Sequence, residues 1–196
     1  MARSALVAPL AAIALAGCGL NSVPTAEENV NAKWANVQNQ YQRRADLIPN
    51  LVASVQGAAA QERNTLREVT EARARATQIT LSPEQLSDPE AVRRFSQAQG
   101  QLSTALIPLR QLQEAYPQLQ TNQNFLQLQS QLEGTENRIT VARGDYNEAV
   151  QQYNTRIRTF PDAIGAKIFH GAKPKVPFQA TTEGAEEAPR VNFNLQ

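Results

Sequence analysis

Residues 28–56 read ENVNAKWANVQNQYQRRADLIPNLVASVQ, and the spacing of the apolar residues in this stretch decides the fold. Gaps of four and three positions alternate along it, which is the pattern of one apolar face on an α-helix. The residues on this face are Val30, Trp34, Val37, Tyr41, Ile48, Leu51 and Val55. Upstream, Thr25 and Glu28 match a capping box at a helix start. We therefore predict one long helix over residues 25–77, kinked at Pro49 because proline removes a backbone hydrogen bond.

Two further runs with the same spacing follow in the chain. The first covers residues 89–116 and starts at a proline preceded by an aspartate, which is a helix start signal. The second covers residues 121–159 and ends before a Phe-Pro pair. Three amphipathic helices with short connections predict an all-α fold, an up-down-up bundle of long antiparallel helices. We expect a short extra helical piece at residues 163–169, near the C-terminus.

The charge balance and the scarcity of reactive residues limit the classes of function. The chain has 19 Lys and Arg against 18 Asp and Glu, so its formal net charge is +1. A nucleic-acid binder normally carries a basic excess, so we expect no nucleic-acid partner. One histidine and one cysteine do not make a usual transition-metal site, and the chain lacks a phosphate-binding glycine loop. We therefore expect no metal site, no catalytic residues, no small-molecule substrate and no enzymatic activity.

The single cysteine, Cys18, lies in the stretch ALAGCGL and follows an uncharged run over residues 5–17. That run is shorter than the roughly 20 apolar residues of a membrane span, but it has the order of a secretory signal. Residues 15–18 resemble the lipobox of bacterial lipoproteins. The resemblance implies that residues 1–17 are a lipoprotein signal peptide that is removed, and that Cys18 becomes the lipid attachment site. The covalent lipid on Cys18 is then the only cofactor expected.

Other interpretations of Cys18 stay open at this point. A cleaved secretory peptide or a short core helix would contain a cysteine without any lipid. A catalytic thiol is disfavoured, because such a thiol needs a base beside it and the single histidine, His170, is far away in sequence.

The domain organisation follows from these patterns. From residue 179 onward the chain is too polar to pack, so a disordered tail is expected there. The predicted order is a signal peptide at 1–17, an acylated linker at 18–24, a helical bundle at 25–178 and the tail at 179–196.

Two charged side chains, Arg44 and Glu62, lie on the otherwise apolar face of the first predicted helix. A buried charge is costly unless it is paired. In the predicted bundle the first and third helices run parallel, and Arg44 and Glu136 lie at similar heights above their helix starts. We therefore predict a structural polar layer that joins Arg44 or Arg43 to Glu136. Its candidate members are Arg43, Arg44, Asp46, Asn50, Glu136, Asn137 and Arg138. Alternatively, the arginines lie along the bundle surface without a specific partner.

The segment 163–178 is basic with interleaved apolar residues, and two interpretations are open. In the first, it binds anionic lipid or the cell wall, which makes the protein a peripheral membrane- or wall-binding module. In the second, Ile164, Ile168, Phe169 and Phe178 pack over the open end of the bundle. We favour packing, because an up-down-up bundle anchored at its start places this segment away from the membrane.

Six motifs in the predicted helices resemble those of one bacterial family. They are RRADLIPNLV at 43–52, TEAR at 70–73, YPQLQTNQNFLQLQ at 116–129, TENRI at 135–139, YNEAVQQYN at 146–154 and FP at 160–161. Over residues 29–174 the chain resembles the LemA family. The resemblance implies a membrane-attached protein with a helical bundle outside the cytoplasmic membrane. It brings no established reaction, cofactor or catalytic residue.

The anchor, the long helices and the lack of a reactive set predict a non-enzymatic envelope lipoprotein that serves as a scaffold or adaptor. Its expected partners are the membrane, through the lipid, and another envelope protein. The bundle would face the periplasm or the outside of the cell. Gly19 stands where an aspartate is associated with inner-membrane retention, which indicates the outer membrane in a bacterium with two membranes.

Overall fold

The computed structural model describes the backbone of residues 7–179 and the side chains of residues 21–179. The predicted tail therefore lies outside the described residues from position 180 onward. The predicted signal peptide lies outside them at positions 1–6, and from there to position 17 only its backbone is described. The side chain of Cys18 is likewise outside the described part of the chain.

The chain is an all-α bundle, and strands are absent from residues 7–179. The helices are α1 (Val7–Ala58), α2 (Arg63–Gln78), α3 (Pro89–Ala115), α4 (Pro117–Gln120), α5 (Gln123–Arg156) and α6 (Asp162–Ile168). A 3-10 turn at Glu84–Ser87 joins α2 to α3. The predicted all-α bundle of long helices with a short helical piece near the C-terminus is confirmed.

The start of α1 differs from the predicted start at Thr25. The helix already includes the segment 18–24 that was expected to be a linker, and it continues through Pro24. The Thr25 hydroxyl donates to the carbonyl of Asn21 at 2.7 Å, four residues back, which is the bond of a threonine inside a helix. Thr25 therefore does not cap α1.

The first predicted helix is two helices, because the chain reverses at residues 59–62 instead of kinking at Pro49. Pro49 lies inside α1, and a tight turn links Glu62 N to the Ala59 carbonyl at 3.0 Å. The reversal follows Gly57 and falls among consecutive alanines, where the helix carries little side chain to pack. Folding back lets α2 cover the apolar face of the second half of α1, so both halves of the predicted apolar face remain buried.

Arg73 of α2 offsets the defect that Pro49 makes in α1. A proline has no N–H, so the carbonyl of Ala45, four residues before Pro49, loses its helical donor. The Arg73 Nε–H donates to that carbonyl at 2.7 Å. Two of the family-like motifs, at 43–52 and 70–73, thus meet in one hydrogen bond.

The long helices alternate in direction. Between α1 and α5, Arg156 donates a hydrogen bond to the Ser22 carbonyl and Lys33 donates one to Asp145. Residue numbers rise along α1 while they fall along α5, so the two helices run antiparallel. Along α2 and α3, Gln99 Nε2 donates to the Ala76 carbonyl, whereas the Tyr116 hydroxyl donates to Glu62 at the other ends of these helices. The half of the bundle beyond residue 44 therefore contains four long passes.

This extra reversal changes where the segment after α5 lies. After α5, the residues that follow position 156 lie beside the start of the bundle, since Arg156 donates to the Ser22 carbonyl at 3.1 Å. The expectation that segment 163–178 lies away from the anchored end is therefore wrong. Its physical reason is the fold-back at residues 59–62, which adds one pass to the bundle.

The core consists of two apolar clusters along the bundle axis. The cluster nearer Ser22 is centred on Trp34, whose ring lies 5.3 Å from Phe95, 5.6 Å from Tyr146 and 5.9 Å from Phe178. The Trp34 indole N–H donates to the Leu81 carbonyl at 3.3 Å. The second cluster is aliphatic apart from Phe125 and joins α1, α2, α3 and α5.

The contact between Arg73 and Ala45 yields a testable prediction. Arg73→Ala leaves the Ala45 carbonyl without a donor and is expected to cost about 1–3 kcal/mol of unfolding free energy. In a Pro49→Ala background the cost falls sharply, because the substituted residue supplies the missing backbone N–H. Urea unfolding of both single variants and the double variant measures this, with exposed Arg75→Ala as the control. Equal costs of Arg73→Ala in the two backgrounds would contradict the assignment.

Candidate functional site

Arg44 lies between the two apolar clusters and holds four helices together. It is 1% exposed. Its Nη1 donates to Ser103 Oγ at 2.8 Å and to Glu136 Oε1 at 3.0 Å. Its Nη2 donates to the Gln99 side-chain oxygen at 2.6 Å and to the Gln99 carbonyl at 3.2 Å. Gln99 in turn donates to Ala76 of α2, so this layer links α1, α2, α3 and α5.

The surroundings of Arg44 explain how a charge is tolerated at this depth. The carboxylate of Glu136 is 27% exposed, so the counter-charge keeps contact with water. The guanidinium also lies 5.0 Å from the centre of the Tyr41 ring. Burial raises the pKa of the Tyr41 hydroxyl, so this group stays neutral beside the ion pair. The Arg44 Nε is buried without a hydrogen-bond partner among the described residues.

The structure brings Arg44 and Glu136 together, but through antiparallel rather than parallel helices. The other predicted members of the layer stay apart from it. Arg43 and Asn137 are exposed. Asp46 accepts a hydrogen bond from Gln42 at the surface, Asn50 offers its carbonyl to Ser54, and Arg138 donates to Thr135.

Two members of the layer, Gln99 and Ser103, were missed from the sequence. Gln99 occupies an inward position of α3, four residues after Phe95 and three before Leu102. A polar residue on an otherwise apolar face is the same signal that identified Arg44, and it would have identified Gln99. Ser103 lies beside that face and carries no such signal.

A groove of about 1300 Å³ runs beside α3, and part of it opens between α3 and α5. Tyr41 and Arg44 form its floor, while Ser103 and Thr140 belong to its walls. Because Glu136 also lines it, the groove gives solvent access to the Arg44 ion pair. Val176, Pro177 and Gln179, which belong to an extended part of the chain, also line the groove.

That extended part, residues 172–179, is called the strap here. Its backbone is held by side chains of α5. Asn154 accepts from Lys175 N at 2.9 Å and donates to Lys175 O at 2.8 Å. Asn147 likewise accepts from Phe178 N at 2.8 Å and donates to Phe178 O at 3.0 Å. Each asparagine thus satisfies both backbone groups of one strap residue, as a neighbouring β-strand would.

The spacing of these contacts follows from helix and strand geometry. Asn147 and Asn154 are seven residues apart, which is about 10.5 Å along a helix. Lys175 and Phe178 are three residues apart, which is about 10 Å along an extended chain. The two rises match, so one helix face can bind every third residue of an extended peptide. The motif YNEAVQQYN at 146–154 contains both asparagines.

The strap is also held by its side chains. The Phe178 ring is 6% exposed and packs on Trp34, and the Arg143 guanidinium lies 4.7 Å above it. Arg143 also donates to the Gln179 carbonyl at 3.0 Å. The Lys175 ammonium is buried, where it donates to Glu27 at 2.9 Å and to the Pro83 carbonyl at 3.0 Å.

Buried tyrosines support the core behind the strap. The Tyr146 hydroxyl donates to the Val176 carbonyl at 3.0 Å, and burial raises the pKa of this phenol. Burial, with a contribution from nearby Glu27, raises the pKa of Tyr153 to about 12. Both phenols are therefore neutral hydrogen-bonding or packing groups at physiological pH.

The expectation that the apolar residues of segment 163–178 all pack over the bundle end is wrong for three of four. Phe178 packs inside, but Ile164, Ile168 and Phe169 are 53%, 68% and 66% exposed. Ala166 is the α6 residue that faces the core. On a helix, positions 164 and 168 share the face opposite to 166, so they point away from the bundle.

Neither a metal cluster nor a membrane span is found in the described part of the chain. Within it, no group of three or more His, Cys, Asp or Glu side chains is placed to hold a metal ion. None of the helices in the same part has a stretch that is both long and apolar enough to cross a bilayer.

The Arg44 layer yields a second prediction. Arg44→Ala and Glu136→Ala are each expected to destabilise the bundle, and a double-mutant cycle should show a coupling of roughly 1–3 kcal/mol. The coupling arises because removing Glu136 leaves a buried charge with fewer acceptors. Arg43→Ala, the exposed neighbour, should change the unfolding free energy by less than about 0.5 kcal/mol. Additive effects of the two substitutions would rule out the pair as a structural unit.

Comparison with known proteins gives one family and one group of relatives. The LemA family model matches residues 33–193. The chain is 27% identical over 157 residues to magnetosome proteins MamQ 1 and MamQ 2 of Paramagnetospirillum magneticum and to magnetosome protein MamQ of Magnetospirillum gryphiswaldense. These matches cover 72% of this chain and 58% of each relative. The chain thus spans little more than half the length of these curated relatives.

Proposed function

The chain belongs to the LemA family, and on that premise we propose that it is a membrane-anchored envelope lipoprotein whose bundle is an adaptor for other envelope proteins. The adaptor is non-enzymatic and binds an extended segment of its partner in the groove between α3 and α5. Its relatives are named as magnetosome proteins and are longer than this chain. The proposal therefore concerns the bundle that the proteins share, at a membrane of the cell envelope.

The binding of the strap by α5 is the observation that carries the adaptor proposal. Asn147 and Asn154 bind backbone groups of the strap, and backbone groups are common to every peptide sequence. Gln179 of the strap lines the groove, and Thr140, which also lines it, lies seven residues before Asn147 on the same face of α5. The groove therefore continues the surface that already binds an extended peptide.

The floor of the groove adds selectivity for polar partners. Glu136 offers a partly exposed carboxylate at the bottom, and Thr140 offers an exposed hydroxyl oxygen on a wall. Such a surface suits a polar extended segment better than an apolar helix, because an apolar helix would cover the Glu136 carboxylate without offering it a hydrogen bond. This chemistry distinguishes the groove from the apolar surface of α6.

Photocrosslinking in intact cells tests the adaptor proposal. A photoreactive amino acid at Thr140, in the groove, is expected to crosslink a defined envelope protein that mass spectrometry identifies. The matched control is the next residue, Val141, which is 65% exposed and lies outside the groove. Deleting residues 180–196 from the Thr140 variant excludes capture of the chain's own tail. Equal crosslinking patterns from positions 140 and 141 would contradict a docking groove.

The proposed anchor is supported by the sequence LAGC at 15–18 and by the position of Cys18 in α1. Cys18 precedes Ser22 by four residues, or about 6 Å of helix. A lipid on Cys18 would therefore hold the end of the bundle at which Ser22 lies close to the bilayer. Several acyl chains on one cysteine give firm anchoring, whereas one chain is marginal.

The mass of the mature protein tests the anchor. Chain purified from the membranes of producing cells is expected to begin at Cys18 and to carry the mass of a diacyl or triacyl group. Cys18→Ala should abolish both the processing and the added mass, whereas Gly19→Ala should keep them. Recovery of the wild-type chain with residues 1–17 and an unmodified Cys18 thiol would overturn lipidation.

A further inference from the structure

We propose that the outer face of α6, together with Phe160, is a second membrane contact that binds a bilayer with anionic headgroups. This face is named for the exposed apolar residues Phe160, Ile164, Ile168 and Phe169; the exposed Lys167 and Lys173 lie near them in the sequence. The inference rests on the proposed anchoring only for which end of the bundle faces the membrane.

The apolar side chains of this face are unusually exposed for their size. Phe160 is 79% exposed, and the three others are at least 53% exposed. Single exposed apolar residues are common on protein surfaces, but a group of two aromatic and two branched side chains on a short segment marks an interaction site. The face therefore needs an apolar or interfacial partner.

The position of the face identifies the bilayer as that partner. α5 ends beside Ser22, where Arg156 donates to the Ser22 carbonyl, and α6 packs on α1. Ala166 of α6 shares the apolar cluster that contains Val23. Cys18 lies one helical turn before Ser22, so the proposed lipid anchor and the exposed face are at the same end of the molecule.

The charges around the face favour anionic headgroups. Residues 157–173 contain Arg158, Lys167 and Lys173 but only one acidic residue, Asp162. Asp162 is 3.7 Å from Arg156, so its charge is already compensated. Basic residues at the edge of an apolar face are the pattern of helices that lie in the interface plane of a membrane.

The consequence is a bundle held upright at two points. A lipid on Cys18 alone leaves the bundle free to tilt on the bilayer. A second contact through α6 limits the tilt and rotation of the bundle on the bilayer. The groove would then face partner proteins in a defined orientation.

Quenching of an introduced tryptophan by brominated lipid tests this inference on the full chain. Phe169→Trp and the control Val141→Trp are purified from membranes and placed in vesicles of brominated phosphatidylcholine with phosphatidylglycerol. Trp34 is 3% exposed and contributes the same background to both variants. The emission of Phe169→Trp is expected to shift to the blue and to lose intensity to bromine, whereas the emission of Val141→Trp keeps the spectrum of an exposed side chain.

Charge dependence is the second readout. A lysine near an anionic surface contributes about 1 kcal/mol, so Lys167→Gln and Lys173→Gln should each reduce the equilibrium constant for membrane insertion of α6 about fivefold in phosphatidylglycerol vesicles. The same substitutions should have little effect in vesicles without phosphatidylglycerol. Loss of quenching in the lysine variants without loss of vesicle binding supports the inference.

Three outcomes would overturn the inference. Equal quenching of Phe169→Trp and Val141→Trp would show that α6 does not enter the bilayer. A blue shift without bromine quenching that grows with protein concentration would show that a second copy of the chain covers the face. A chain that does not bind the vesicles would overturn both the contact and the anchor. Failure of lipidation alone is read separately, from the mass of the chain.

Discussion

The rest of the bundle depends on one buried cation, Arg44, placed between two apolar clusters. A guanidinium has five N–H donors in a fixed plane, so it can bind several helices at once only if their acceptors converge at one height. Ser103, Gln99 and Glu136 supply these acceptors from α3 and α5. Apolar seams tolerate shifts along their length, whereas this set of hydrogen bonds does not. The layer thereby fixes the register of the long helices and of everything that they carry.

At two other places, backbone groups that lack a partner in secondary structure are also bound by polar side chains. Pro49 frees a carbonyl that Arg73 binds, and the extended strap exposes backbone groups that Asn147 and Asn154 bind. In each case a polar side chain from a distant part of the chain completes a backbone hydrogen bond. Such bonds add little net stability when formed but cost much when missing, so they select one arrangement over its competitors.

Much of this architecture follows from the sequence, because helices and buried faces leave periodic signals. The three–four spacing around Trp34 identified the face of α1 that is buried, and Arg44 was identified as a charge that needs a partner. The reversal at residues 59–62 was missed because the spacing continues across it, from Val55 through Glu62 to Val69. A local pattern shows which face of a helix is buried. It does not show whether the residues that follow continue the same helix or begin the next one.

The strap was not predictable for a different reason. An extended segment held by side-chain-to-backbone bonds has no period of its own, and the Asn147 and Asn154 pair reads as ordinary surface residues of a helix. The position of α6 was mistaken because it depends on the number of passes, and one missed reversal moves the segment that follows α5 to the opposite end of the bundle. The error in topology therefore affected the interpretation of segment 163–178 more than that of the long helices.

The packing of Phe178 on Trp34 has a consequence for how the protein is made. A ribosome releases the chain from its N-terminus, so α1 is complete long before the residue that closes its aromatic cluster exists. Contacts between residues so distant in sequence form late and slow folding. The end of the bundle nearest the start of the chain is thus the last to be completed. Until then, Trp34 and its neighbours are an exposed apolar surface that chaperones can bind.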